Sequence, residues 1–214
     1  MTPSTQIPNR FKLLCVLVLL ICGCTASRDV PIQNAIWITR WDYLSEVDVV
    51  KCIENVAAAG FDTVLFQVRG NGTVFYRSEI EPWAEEFQHA DPGFDPLEVA
   101  CREATSRGIA LHAWINAVPG WRGDTAPPDT VPPQHWNARP GWFLHDAQLK
   151  RQPLQPNYYV ALNPCLPQVR EHIAAICSEI VEKYPVAGIH LDYIRFLESG
   201  IETDYPRDPE SLKL

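Results

Sequence analysis

The stretch GIHLDYIRF, residues 188–196, begins as a buried strand and ends in charge. Side chains alternate across a strand, so Ile189 and Leu191 share one face while His190 and Asp192 share the other, with Arg195 following. Two earlier runs repeat this pattern. In TVLFQVRG (63–70), Val64, Phe66 and Val68 oppose Leu65, Gln67 and Arg69. In IALHAWINA (109–117), Leu111, Ala113 and Ile115 oppose His112, Trp114 and Asn116. Each run has one purely apolar face and one that turns polar toward its C-terminal end. A first run, AIWITRW (35–41), completes a set of four.

Helical patterns separate these runs. Ser45 is placed to cap LSEVDVVKCIENVAAAG, whose Val49, Val50, Ile53 and Val56 form a stripe ended by Gly60. Asp95 and Pro96 open a second helix that Gly108 closes, and Pro167 opens a third over PQVREHIAAICSEIVEKY. Strands alternating with helices imply parallel pairing through right-handed crossovers. An open doubly wound sheet would be helix-covered on both faces and apolar on both. A barrel turns one face inward and shows polar residues at the C-terminal mouth, where barrel enzymes keep their active sites. No dinucleotide-type glycine loop follows any of the runs. The fold class read here is α/β, a (β/α) TIM-type barrel of which the first half, four strands, is present. A complete barrel needs roughly 250 residues, and this chain has 214. That implies either a truncated reading frame or fragment, or self-association of two copies to complete the barrel.

The chain is 46% hydrophobic and 21% charged, as a folded domain is, and its net charge of −8 with no Lys/Arg block excludes a nucleic-acid partner. Arg10 and Lys12 precede LLCVLVLLI (13–21), too short to span a bilayer but of signal-peptide length. The following ICGCTASRD resembles a bacterial lipobox, with Ile21, Gly23 and then Cys24 as the lipidated residue; Cys22 stands where a smaller or β-branched residue is usual. The expected organisation is a signal peptide over 1–23, a lipid-anchored linker over 24–34 and the barrel portion over 35–214. The membrane is then a partner through the acyl chains, and the location is the cell envelope. Thr25 after Cys24 favours the outer membrane; an ordinary secretory signal with a chance cysteine is the alternative. Cys52, Cys101, Cys165 and Cys177 remain; they allow three disulfide pairings, with buried free thiols as the alternative for Cys52, Cys101 and Cys177.

Asp192 is the carboxylate on the polar face near the end of a strand, and so the candidate catalytic group. The alternative is a buried ion pair with Arg69 or Arg195. Glycoside hydrolysis needs two carboxyl groups, and Asp42 and Asp124 suit surface or capping roles better. Trp114 faces inward, and Trp121, Trp136, Trp142, Tyr158 and Tyr159 crowd the loop beyond it. Indoles pack against the C–H faces of sugars while polar side chains bond their hydroxyls. Gln67, Arg69, His112, Trp114, Asn116, His190, Arg195, Trp121 and Trp142 are thus the expected substrate-binding set, with a polysaccharide or glycan strand as partner. The tryptophans could equally bury the loop. His112, His190 and Asp192 could converge on a metal, but no HxH pair or third strand histidine supports it, so neither metal nor cofactor is expected.

At these residues the sequence resembles the glycosyl hydrolase-like family 10, a bacterial group of (β/α)8 proteins. The matching segments are FQVRGNGTVFYRSEIEPW (66–83), DPGFDPLEVACREATSRGIALHAWINA (91–117), RPGWFLHD (139–146), LNPCLPQVREHI (162–173) and GIHLDYIRF. The resemblance implies a secreted or envelope-bound hydrolase of glycosidic bonds, with peptide-free peptidoglycan strands as one known substrate class in the family. It places Asp192 at the family's acidic residue after the fourth strand. Many relatives carry a second Asp next to it, where this chain has Tyr193. A non-catalytic carbohydrate-binding lipoprotein is the competing reading.

Overall fold

The computed structural model describes residues 34–196 and 205–213, all within one compact unit. The signal segment, Cys24 and nearly all of the linker lie outside the described residues. The elements run β1 (Ala35–Ile38), α1 (Glu46–Ala58), β2 (Thr63–Arg69), α2 (Pro96–Ser106), β3 (Ala110–Asn116), β4 (Pro119–Gly123), α3 (His135–Ala138), β5 (Gln155–Ala161), α4 (Pro167–Lys183) and β6 (Gly188–Asp192). Four strands form a parallel sheet in the order β1-β2-β3-β6, and β4 and β5 form a separate antiparallel ribbon.

The helices start where their caps dictate. The Ser45 hydroxyl accepts from the Asp48 N–H, and Asp48 Oδ2 accepts from the Ser45 N–H at 2.9 Å, a reciprocal capping box for α1. Asp95 Oδ1 accepts from the Leu97 and Glu98 amides at the start of α2. Its other oxygen takes the Tyr184 hydroxyl at 2.6 Å, which ties the end of α4 to the start of α2.

Alternation along the strands then sorts the side chains. Val64, Phe66, Val68, Leu111, Ala113 and Ile115 pack beneath Val49, Ile53, Val56, Val99, Ala104, Ile176 and Ile180 in one buried cluster between sheet and helices. Each larger aliphatic side chain contributes about 1.5–3 kcal/mol by leaving water. The opposite face curls. Adjacent strands lie about 4.8 Å apart, so β1 and β6 would be about 14 Å apart in a flat sheet. Yet Trp37 Nε1 on β1 donates to His190 Nε2 on β6 at 3.3 Å. The four strands therefore wrap as one side of a (β/α) barrel, with Trp37 and His190 reaching across its concave face.

Two features differ from the sequence reading. The first strand stops at Ile38, not residue 41, because the Thr39 N–H and hydroxyl both donate to Asp42 Oδ2 and turn the chain; Asp42 is a turn residue. The long segment after β3 contains the β4–β5 ribbon, whose Pro119, Gly120 and Gly123 hide the period of a strand. Of the alternatives for the thiols, the free form is the one seen: Cys52, Cys101, Cys165 and Cys177 are all unpaired with one another, Cys101 buried and the other three partly so.

Candidate active site at the mouth of the sheet

Register places the inward residues in layers, as in a barrel core. Trp37, Leu65, His112 and Gly188 align across the four strands, and Gln67, Trp114 and His190 align in the next layer. Asn116 and Asp192 pair above them at the C-terminal rim. His112 occupies the space beside Gly188, where a Cβ would come within 2.7 Å of its Nδ1. Trp37 and Trp114 both meet the His190 ring edge-on, with centroids 6.1 and 6.2 Å away. Gln67 is buried, and its side-chain oxygen accepts from the Arg40 N–H at 3.1 Å, fixing the turn beyond β1. Among the described residues, Trp114 Nε1 and Asn116 Oδ1 are buried with no hydrogen-bond partner. A donor and an acceptor thus lie unbonded beneath the floor of the mouth, both closed to solvent.

Asp192 ends β6, partly buried, with Oδ1 accepting from the Tyr193 N–H at 2.7 Å. Its own carbonyl accepts from Ala117 N–H at 2.8 Å. Tyr193 holds a left-handed backbone, φ +51°, a conformation that costs a non-glycine residue of order 1–2 kcal/mol and is concentrated at functional sites. Its ring packs against Tyr159 at 5.4 Å, and the Arg195 guanidinium lies over it at 5.3 Å. Burial, with Tyr159 and Asp192 beside it, raises the Tyr193 phenol above its ordinary value. Arg195 therefore stacks on a partly buried ring rather than pairing with Asp192.

Arg69 also departs from expectation. It is fully buried, beyond an irregularity in the β2–β3 register, and is committed to Glu81: Nε donates to Oε2 at 2.6 Å and Nη2 to Oε1 at 2.7 Å. Its Nη1 donates to the carbonyls of Asn116, Ala117 and Pro119. Glu81 Oε1 also meets His135 Nε2 and His172 Nε2. Burial alone would raise the Glu81 carboxyl, but the Arg69 charge and the hydrogen bonds from both histidines and Arg69 outweigh it and hold it well below the usual range. Arg69 thus braces the carbonyls at the end of β3, and the sugar-binding role expected of it has no exposed atom to act through.

Trp121 is likewise buried, its indole N–H donating to the Thr125 carbonyl at 2.8 Å, within a second core that includes Phe143, Val160 and Leu162. It packs the ribbon rather than lining the mouth. Trp142 lies against His135 and His172 at 5.3 and 5.2 Å and carries Arg139 at 4.5 Å. The structure brings together His112, Trp114, Asn116, His190 and Asp192, and adds residues the sequence reading did not select: Trp37, Arg40, Tyr159 and Tyr193. Inward parity on β1 was a usable signal for Trp37. Tyr159, on the ribbon, was one of the aromatics noted in the loop after the third run though not in the expected binding set; Arg40, which approaches it at 3.4 Å from a turn, had no signal.

The family model for Glycosyl hydrolase-like 10 matches residues 32–204. Glycosyl hydrolase DigH of Escherichia coli (strain K12) is 25% identical over 244 residues, covering 89% of this chain and 52% of DigH. Glycosyl hydrolase YngK of Bacillus subtilis (strain 168) is 27% identical over 149 residues, covering 68% of this chain and 27% of YngK. The chain spans about half the length of DigH and less of YngK. Among solved structures, a hypothetical protein from Ruminiclostridium thermocellum ATCC 27405 superposes with a TM-score of 0.57 at 16% identity, over 76% of this chain and 77% of that one. The maltogenic α-amylase AmyB from Thermotoga neapolitana does so with a TM-score of 0.51 at 13% identity, over 77% and 40%. Such identities speak to fold alone, and the fold is the barrel derived above. The match across the curled sheet, its helices and the mouth decides the matter: this chain belongs to the glycosyl hydrolase-like 10 family.

Proposed function

We propose that this chain acts on glycosidic bonds of a cell-envelope or extracellular polysaccharide, peptidoglycan glycan strands being the first to test, with Cys24 lipidated to hold it at the envelope membrane. The observation that carries the reading is the pair of free polar atoms, Trp114 Nε1 and Asn116 Oδ1, on a floor walled by Trp37 and His190 and edged by Asp192. Buried polar groups are nearly always bonded, and a sugar hydroxyl, which donates and accepts, would complete each once a bound ring parts the atoms that now cover it. Asp192 acts as nucleophile or as the charge that steadies an oxocarbenium-like transition state. The Tyr193 amide fixes one of its oxygens. His190 and His112 orient hydroxyls, and the tryptophan faces take the ring. The family match and the names of the curated relatives support the same reading.

Binding without turnover is the second reading. It is favoured by Glu86, a carboxylate near the rim that ion-pairs with Arg40 at 3.1 Å instead of standing free as a second catalytic acid. Incubation with peptide-free glycan strands and a polysaccharide panel, scoring new reducing ends by mass spectrometry, separates the two. Cleavage by the parent chain that falls to background in Asp192→Asn, with glycan binding retained, supports hydrolysis. Saturable binding with no cleavage by the parent supports the second reading. Unchanged cleavage in Asp192→Asn removes Asp192 from the mechanism.

A further inference from the structure

Outside the mouth, Glu81 Oε1, His135 Nε2 and His172 Nε2 form a nearly equilateral triangle. Its edges are 3.0 Å (Glu81 to His135), 2.8 Å (Glu81 to His172) and 3.0 Å (His135 to His172). The three residues come from the loop after β2, the one-turn helix α3 and the first turns of α4. Their side chains are 0%, 4% and 8% exposed.

Hydrogen bonding cannot complete this triangle. Glu81 Oε1, already receiving Arg69 Nη2, is an acceptor, and each Nε2 carries at most one proton. Two protons cannot serve three edges. With both nitrogens protonated, two N–H groups oppose each other across 3.0 Å. With one bare, its lone pair faces a carboxylate oxygen across an edge of 2.8 or 3.0 Å. A cation resolves the conflict by accepting all three lone pairs at once.

The dimensions suit one. Ligand distances to nitrogen and oxygen are about 2.0–2.2 Å, and the corners lie about 1.7 Å from the triangle's centre, so an ion sits about 1.2 Å above the plane. Ligands at right angles around an ion at about 2.1 Å are themselves about 3.0 Å apart, the spacing of a facial two-histidine, one-carboxylate set. Arg69 holds the other Glu81 oxygen at 2.6 Å, aiming the carboxylate in the way outer-shell partners do. Trp142 covers both imidazole rings.

We propose that Glu81, His135 and His172 bind a divalent first-row transition metal, with zinc as the probe, and that the ion clamps three chain segments around the mouth. This rests on the triangle and is independent of the reading of Asp192. The full chain, stripped with chelator, is titrated with ZnCl2 alone by calorimetry and followed by thermal unfolding; Co2+ is added separately for its visible absorption. The expected result is one equivalent bound, a rise in Tm of several degrees, and a cobalt spectrum showing imidazole ligation. His172→Phe keeps an aromatic ring against Trp142 but has no donor nitrogen, and should lose both the stoichiometric event and the Tm shift. His172→Gln, which keeps a hydrogen-bond donor, should do the same should the phenylalanine variant fail to fold. No stoichiometric uptake by the parent chain overturns the proposal. Undiminished uptake by the folded variants also overturns it, since the ion would then be held by other residues.

Discussion

Replacing Arg69 with methionine removes a cation from a fully buried pair and leaves the Glu81 carboxylate in the interior with only two imidazoles for company. Breaking such a pair from one side costs about 3–5 kcal/mol, because an uncompensated charge stays behind. The carbonyls of Asn116, Ala117 and Pro119 lose a donor as well, which places the expected loss toward the upper end. Domains unfold with about 5–15 kcal/mol in total, so the variant should be folded but weak. At about 2–4 °C per kcal/mol for a chain of this size, Tm should fall by about 6–20 °C. Urea and thermal unfolding at pH 7, with chelator present, read both numbers. The double variant Arg69→Met/Glu81→Met removes the stranded charge and should recover part of the loss, but not the carbonyl bonds.

The same pair predicts a pH dependence. The folded Glu81 carboxyl lies below its ordinary value of 4.5, so its contribution is complete above that value and is lost as pH falls through the lower folded one. The gap between parent and Arg69→Met should therefore narrow on acidification below about pH 4.5. A loss under about 1 kcal/mol at pH 7, within the range of an exposed pair, or a gap that widens on acidification, would refute the reasoning.

Two further outcomes are expected. Cys24→Ala should move the protein from the membrane to the soluble fraction on cell fractionation; continued retention would exclude lipid as the sole tether. Gly72→Ala should cost about 2–4 kcal/mol, since Gly72 holds φ +73° and an added Cβ would lie 2.6 Å from the Gly120 carbonyl oxygen. The urea midpoint should fall with an unchanged slope, and a shift worth less than about 0.5 kcal/mol would show that the loop at Gly72 moves off the ribbon freely.

The helices and the curled sheet were legible because their signals are local. Ser45, Asp95 and Pro167 mark helix starts, and strict alternation in 63–69 and 110–116 marks which face meets the helices. The ribbon was not legible. PGWRG and QPNYYVA carry proline and glycine in place of a period, and they are strands because they pair with each other across more than thirty residues. Alternation alone puts Arg69 on the inward face, but the register shifts between Gln67 and Arg69, and the side chain goes to Glu81 instead. The Glu81, His135 and His172 cluster has no spacing motif, since its members lie 54 and 37 residues apart. One clue was present: His172 falls between Val169 and Ile176 on the apolar stripe of α4, where a polar side chain needs a buried partner.

Only Ala117 and Val118 separate β3 from the ribbon. Their amides donate to the carbonyls of Asp192 and Tyr193, while the Val118 carbonyl accepts from Leu162 just past β5. Ribbon and carboxylate are thus rivets in one plate. A load on the ribbon is transmitted to the backbone of Asp192 instead of being absorbed by a hinge. Under the proposed function, such an opening would work as a fixed gauge rather than a closing hand, its fit set by the profile it already has.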